Sequence, residues 1–127
     1  MSIFDDDWVL QPSGPTEAEL TVERVLRAVE QVPRGRVVAY SDIATVVGTS
    51  PRRVGSIMAG HGGEVAWWRV TNRDGALPAH LLELAKKHWQ REGIEADETR
   101  CRINRHRADL DDLALGYQKA VRDLGDP

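Results

Sequence analysis

The chain has 127 residues, of which 41% are hydrophobic and 29% are charged, and its formal net charge is −3. This balance is typical of a soluble globular protein with one core of ordinary size. No segment approaches the roughly 20 apolar residues of a membrane span, and the acidic start at Asp5–Asp7 excludes a secretory signal peptide, so we expect a cytoplasmic protein.

The N-terminal residues 1–15 contain little periodicity and a Pro-Ser-Gly-Pro cluster, which predicts an extended lead-in. Trp8 and Leu10 within it are expected to pack on the body as a short anchoring strand. We interpret residues 16–127 as a single domain with a C-terminal helical extension.

The first helix is predicted to start at Thr16, which forms a capping box with Glu19, and to end before Pro33. Two short helices follow. Ser41 is the expected N-cap of one, which Gly48 ends, and Ser50 is the expected N-cap of the next. In the second of these, Val54, Ile57 and Met58 can face inward, which leaves Arg52, Arg53 and Ser56 facing outward. This order is a helix-turn-helix.

A β-hairpin is predicted next, because residues 65–71 are rich in β-branched and aromatic side chains and Asn72–Gly75 supplies a polar turn. With the preceding helices, this hairpin would be a wing. The fold class is therefore mainly α with a small β-hairpin, a winged helix-turn-helix.

Beyond the wing, Pro78 is expected to open a helix that Gly93 ends, and Arg100–Ile103 is a candidate strand. A final helix is predicted over residues 109–124. Cys101 is the single cysteine, which excludes an internal disulfide framework and a multi-cysteine zinc site. Since no His or Asn pattern around it indicates a nucleophile, we expect an ordinary thiol, and we expect neither a metal nor a cofactor.

Positive charge is concentrated in the middle of the chain. Residues 34–73 contain six arginines and two acidic residues, whereas residues 1–33 contain two basic and seven acidic groups. DNA binding requires a local basic face rather than a basic protein, although surface arginines also cluster by chance.

The segment from Pro33 to Leu77 resembles the DNA-binding and active-site domain of O6-alkylguanine-DNA alkyltransferases. Pro33-Arg-Gly-Arg-Val-Val-Ala-Tyr40 is similar to that family's entry to the helix-turn-helix, and Ser41-Asp-Ile-Ala44 to its first helix. Arg52-Arg-Val-Gly-Ser-Ile-Met58 is similar to its recognition helix. Val65-Ala-Trp-Trp-Arg-Val70 falls where the family has its Pro-Cys-His-Arg-Val active-site motif.

Two departures bear on mechanism. Trp67 occupies the position of the alkyl-accepting Cys, and Trp68 that of the His that helps to form the thiolate. An indole has no ionisable nucleophile, so the resemblance implies a protein that is not an enzyme and has no catalytic residue. With tryptophan in place of the Cys, the chain resembles the alkyltransferase-like branch of the family. That branch usually retains the His.

The resemblance to that branch implies a non-enzymatic protein that binds double-stranded DNA, flips an O6-alkylguanine into a pocket and flags it for nucleotide excision repair. Partners would be DNA and nucleotide excision repair proteins, with no membrane involved and the chain a monomer, nucleoid-associated when bound. The implied DNA-binding residues are Tyr40, Arg52, Arg53, Gly55, Ser56, Arg69 and Arg73. The implied lesion-pocket residues are Tyr40, Trp67, Trp68 and Arg69.

By the same resemblance, Tyr40 would promote rotation of the nucleotide and Arg52 would enter the vacated stack; a solvated phosphate contact is the alternative for Arg52. Trp67 would line the pocket, unless the two tryptophans are alternating strand residues with one in the core. Arg69 would meet a phosphate or the base, or pair with an acid.

Two other functions fit the residues. One is a winged-helix transcription or chromatin regulator without lesion specificity, which would prefer a DNA sequence. The other is an alkyltransferase or another enzyme that uses Cys101, which would take up label from an O6-methylguanine duplex.

Overall fold

The computed structural model describes residues 14–125. The predicted strand at Trp8 and Leu10 lies outside these residues. The elements within them, in chain order, are α1 Glu17–Glu30, β1 Val38–Ala39, α2 Tyr40–Val47, α3 Pro51–His61, β2 Val70–Thr71, α4 Leu82–Glu92, α5 Ile103–His106 and α6 Leu110–Ala120. Short 3-10 turns occur at Gly62–Glu64, Trp67–Arg69, Ala79–Leu81 and Arg122–Leu124.

The capping box of α1 is confirmed. The Glu19 backbone N–H donates to Thr16 Oγ1 at 3.1 Å, and the Thr16 N–H donates to Glu19 Oε1 at 2.8 Å. Two of the orphan amides of the first turn are thereby satisfied. Val25 and Val29 on the inner face of α1 are fully buried.

The helix-turn-helix of α2 and α3 is confirmed, with one correction. The predicted cap Ser41 lies inside α2, which begins at Tyr40, because the Asp42 carboxylate accepts the Ala39 N–H at 2.8 Å and satisfies the first turn. Gly48 ends α2 at φ +90°, a conformation that a Cβ disfavours. Ser50 Oγ accepts the Arg53 N–H at 3.1 Å, as expected of the cap of α3.

The two strands pair in parallel, so the predicted hairpin is wrong in its pairing. Val38 pairs with Val70 and Ala39 with Thr71, and residues 67–69 form a 3-10 turn rather than a strand. The reason is burial: both Val70 and Thr71 are enclosed, whereas a half-exposed hairpin strand would alternate. The polar turn is present, since the Gly75 N–H donates to the Asn72 carbonyl at 3.0 Å.

The C-terminal part follows the prediction in outline. Gly93 ends α4 at φ +73°, and the Asp109 side chain caps α6 by accepting the Asp112 N–H at 3.0 Å. The predicted strand at Arg100–Ile103 is wrong, because only a single bridge joins Cys101 to Ala96 and α5 begins at Ile103. The last helix stops at Ala120 and is followed by a 3-10 turn.

Two buried clusters share the short sheet. One joins α1, α2, α3 and α6 and includes Val38 and Val70, and the other packs Trp89 of α4 against Val37 and Ala39. Trp67 packs against the second cluster from the side. Among residues 14–125, no helix has both the length and the apolar character needed to cross a bilayer.

Candidate functional site

A cavity of about 240 Å³ opens between the helix-turn-helix and the loop that follows the turn at residues 72–75. Tyr40 of α2 and Trp67 line it together with residues of α3 and of the loop 77–81. The α3 and loop residues in its wall are Gly55, Met58, Ala59, Leu77, Pro78, His80 and Leu81. The wall is mainly apolar with few polar groups, which is the usual character of a small-molecule or base-binding pocket.

Tyr40 lies where β1 passes into α2, and its ring is partly buried against the first core cluster. Burial raises the pKa of the Tyr40 hydroxyl, so the phenol stays neutral at physiological pH. The wall therefore contains a neutral hydroxyl that can donate or accept a hydrogen bond beside an aromatic face.

Trp67 is held edge-on rather than stacked. Its ring meets Trp68 at a centroid distance of 5.7 Å and an interplanar angle of 85°, and it meets His88 at 5.8 Å and 81°. The side chain is only partly buried, so one part of the ring packs on the second cluster while another faces the cavity. Trp67 therefore lines the cavity, and its part in lesion recognition stays a prediction.

Trp68 and Arg69 do not line this cavity, which corrects their assignment to the pocket. The Trp68 ring stacks on His88 at 3.6 Å with an interplanar angle of 5°. Its indole N–H donates to Glu92 Oε2 at 2.8 Å. Arg69 donates to both carboxylate oxygens of Glu92, at 3.0 and 2.8 Å, and to the Val32 carbonyl. Of the alternatives for Arg69, the structure shows the pairing with an acid.

Glu92 is the residue that organises this region, and it was not predicted from the sequence. Its side chain is 3% exposed and also accepts the Gly35 N–H at 2.9 Å. Burial alone raises the pKa of Glu92, but hydrogen bonds from Arg69, Gly35 and Trp68 outweigh it and hold the pKa below its usual value. The sequence contained an indication of this role. A carboxylate in the last turn of a helix interacts unfavourably with the helix dipole, so its presence there suggests a stabilising partner elsewhere in the fold.

The outer face of α3 carries the predicted DNA-contacting side chains. Arg52, Arg53 and Ser56 are exposed, and among residues 14–125 neither arginine forms an ion pair. Arg52 does not line the cavity, but it stands one helical turn before Gly55, which does. A Cβ added at Gly55 would meet open space, so no packing within the described chain requires glycine there.

The remaining candidates lie elsewhere. Arg73 is exposed on the turn at residues 72–75, outside the cavity wall. Cys101 is 2% exposed, and burial raises the pKa of its thiol to about 11. Such a thiol is protonated at neutral pH and is a poor nucleophile. Within the described part of the chain, no group of three or more His, Cys, Asp or Glu side chains is placed to hold a metal.

Three comparisons with known proteins bear on this site. Residues 21–94 match the family model described as 6-O-methylguanine DNA methyltransferase, DNA binding domain. A DNA base-flipping protein of Vibrio parahaemolyticus is 31% identical over 81 residues, which span 59% of this chain and 81% of the relative. The crystal structure of S. pombe Atl1 in complex with damaged DNA containing O6-carboxymethylguanine superposes with a TM-score of 0.64 at 25% identity, over 71% of this chain and 95% of Atl1. The winged-helix fold class is thereby confirmed.

Proposed function

The chain belongs to the family of 6-O-methylguanine DNA methyltransferase DNA-binding domains, and on this premise we propose that it recognises O6-alkylguanine in double-stranded DNA by flipping the base, without repairing it. The bound lesion would then be flagged for nucleotide excision repair. The names of its relatives, a base-flipping protein and a protein bound to damaged DNA, support this proposal.

The observation that carries the proposal is the apolar cavity between Tyr40, Trp67 and α3. Extrusion of a nucleotide costs a few kcal/mol, least for a poorly paired base such as O6-alkylguanine. Stacking of a base on an aromatic side chain returns roughly 1–3 kcal/mol. An alkyl group on O6 also finds apolar surroundings in this cavity, whereas it is exposed to water or crowds the base pair in the duplex.

Arg52 is the proposed occupant of the space that the base leaves. Its guanidinium is exposed, without an ion pair among the described residues, and one turn from the cavity edge at Gly55. A planar guanidinium can stack on the neighbouring bases and donate to the orphaned partner. Arg53 and Ser56, on the same exposed surface, are proposed contacts to the backbone.

The absence of alkyl transfer follows from the residue types present. Trp67 and Trp68 stand where the family's Cys and His stand, and the Trp68 N–H is already donated to Glu92. Cys101 lies in the second core cluster, and its raised pKa keeps the sulfur protonated. A duplex with a radiolabelled O6-methyl group should therefore leave no label on the protein, and label on Cys101 would contradict this part of the proposal.

The main test compares two duplexes that differ only in one O6-methylguanine. We expect tighter binding to the modified duplex and quenching of tryptophan emission as the base stacks on Trp67. Equal affinity for the two duplexes, combined with preference for a particular sequence, would instead support a winged-helix regulator. The link to excision repair is tested separately, by adding the protein to a reconstituted incision reaction on the modified duplex.

A further inference from the structure

A second groove, of about 280 Å³, lies where the turn at residues 72–75 meets the segment after α4. Its wall contains four arginines, namely Arg73, Arg100, Arg102 and Arg105. Within residues 14–125, Asp74 is the one carboxylate that lines it. All four arginines are exposed. Among the residues that the structure describes, Arg105 is paired with an acid, whereas the other three form no ion pair. The groove therefore presents three guanidinium groups that no ion pair of the described residues occupies.

The backbone beneath these arginines is fixed. The Cys101 N–H donates to the Gly75 carbonyl at 3.0 Å, and a Cβ on Gly75 would lie 2.2 Å from the Cys101 carbonyl oxygen. Asp97 caps the turn before Cys101 by accepting the backbone N–H groups of Thr99 and Arg100 at 2.9 and 3.0 Å. Arginines on such a backbone lose less conformational freedom when they bind than arginines on a loose loop do.

One loop contributes residues to the wall of the groove and to the wall of the cavity. Arg73 lines the groove, and residues 77–81 line the cavity a few positions later. The two stretches are held together by the Asn72 N–H, which donates to the Ala76 carbonyl at 2.9 Å. A strand whose base enters the cavity would thus have its backbone within reach of the groove.

We propose that this groove binds backbone phosphates of the DNA strand beside the flipped nucleotide. The inference rests on the proposed function and extends it to residues 95–125, which lie beyond the family match at residues 21–94. Guanidinium groups bind phosphate through paired N–H donors and fix the register of a protein on DNA without reading sequence. The loop that the groove shares with the cavity favours a phosphodiester chain over an acidic protein segment as the occupant.

The test uses the double variant R100Q/R102Q in the full chain. We expect about tenfold weaker binding to modified and unmodified duplexes alike, with an unchanged ratio between them. The slope of log K against log salt should become shallower by about 0.9 for each phosphate that the variant no longer binds. Because both side chains are exposed, the thermal unfolding midpoint should stay at the wild-type value.

The matched control is K87Q/K119Q, which removes the same charge from exposed positions on α4 and α6. Neither lysine lines the groove or the cavity, so affinity and salt slope should stay near the wild-type values. If the control weakens binding as much as R100Q/R102Q does, the effect is one of net charge and the groove proposal is wrong.

A second measurement locates the contact. Neutral methylphosphonates are placed one at a time at the phosphates around the lesion, and affinity is measured for wild type and R100Q/R102Q. At a phosphate held by the groove, the neutral linkage should weaken the wild type and have no further effect on the variant. The groove proposal is wrong if no phosphate shows this behaviour, or if R100Q/R102Q binds DNA with wild-type affinity. Equal wild-type affinity for the two duplexes contradicts the lesion proposal alone, because the salt slope still reports the groove.

Discussion

Trp68 donates its indole N–H to the carboxylate of Glu92 at 2.8 Å, and this contact fixes the segment that presents Trp67 to the cavity. The same carboxylate binds Arg69 through two oxygens and accepts the Gly35 N–H. One buried acid thus ties the tryptophan segment to the end of α4 and to the loop before β1. Trp68 therefore serves as a structural contact within this segment.

Replacement of Glu92 by Gln should destabilise the fold by about 3 kcal/mol, because it leaves the mostly buried Arg69 guanidinium without its counter-charge. The free energy of unfolding from urea titration measures this. Glu83→Gln on the same helix is the control, since Glu83 is 82% exposed and solvent screens its pair with Lys86, so its loss should change the free energy of unfolding little. Similar losses in the two variants would contradict the central role of Glu92.

The stability of the protein should fall in acid, in part through Glu92. Its pKa is lowered in the folded state, so its contribution is fully present above the unfolded value of about 4.5 and is lost as the pH falls through the folded pKa. The difference in unfolding free energy between wild type and Glu92→Gln should be constant above about pH 5 and narrow below it. Urea titrations between pH 3 and pH 7 follow this difference, and a gap that does not change with pH would show that ionised Glu92 is not the source.

Trp67→Ala should reduce the preference for an O6-methylguanine duplex by about tenfold or more, on the scale of one base–aromatic stack. Trp67→Phe retains an aromatic face and should retain most of the preference. Fluorescence anisotropy with the modified and unmodified duplexes gives the ratio, which is insensitive to a partial loss of folded protein. An unchanged ratio in Trp67→Ala would remove Trp67 from lesion recognition.

Arg52→Ala and Arg53→Ala should behave differently although the residues are neighbours. Loss of the proposed intercalating Arg52 should weaken lesion binding by about 1–3 kcal/mol and affect the unmodified duplex less. Loss of a phosphate contact at Arg53 should weaken both duplexes equally. Because both side chains are exposed, the free energy of unfolding should stay at the wild-type value in both variants. If each variant weakens binding to the modified and the unmodified duplex by the same factor, Arg52 is only a contact to the DNA backbone.

Gly55→Ala should make the protein more stable and the DNA complex weaker. Glycine within a helix costs roughly 0.5–1 kcal/mol relative to alanine, and a Cβ at this position meets no atom of the described chain. A DNA backbone that approaches Gly55 closely, however, would clash with the added Cβ. Urea titration measures the gain in stability, and DNA titration of the same sample measures the loss of affinity. Unchanged DNA affinity would show that the nucleic acid does not approach Gly55 closely.

The local interactions at the helix ends could be predicted from the sequence. Thr16 and Glu19 cap α1, Ser50 caps α3, and Asp109 caps α6, and in each case the partners are three residues apart. Such contacts depend on backbone geometry that short segments already define. The order of motifs from Pro33 to Val70 likewise indicated the family before any contact between distant residues was known.

Contacts between distant segments were decided only by the tertiary structure. Val38 pairs in parallel with Val70, where the sequence predicted a local hairpin. Trp68 and Arg69 bind Glu92 and do not line the cavity that Trp67 lines. No short segment contains both members of these pairs, and burial of both strands together with charge pairing in the interior selects them. The sequence by itself determined the helices and the family, whereas packing alone decided which side chains surround the cavity.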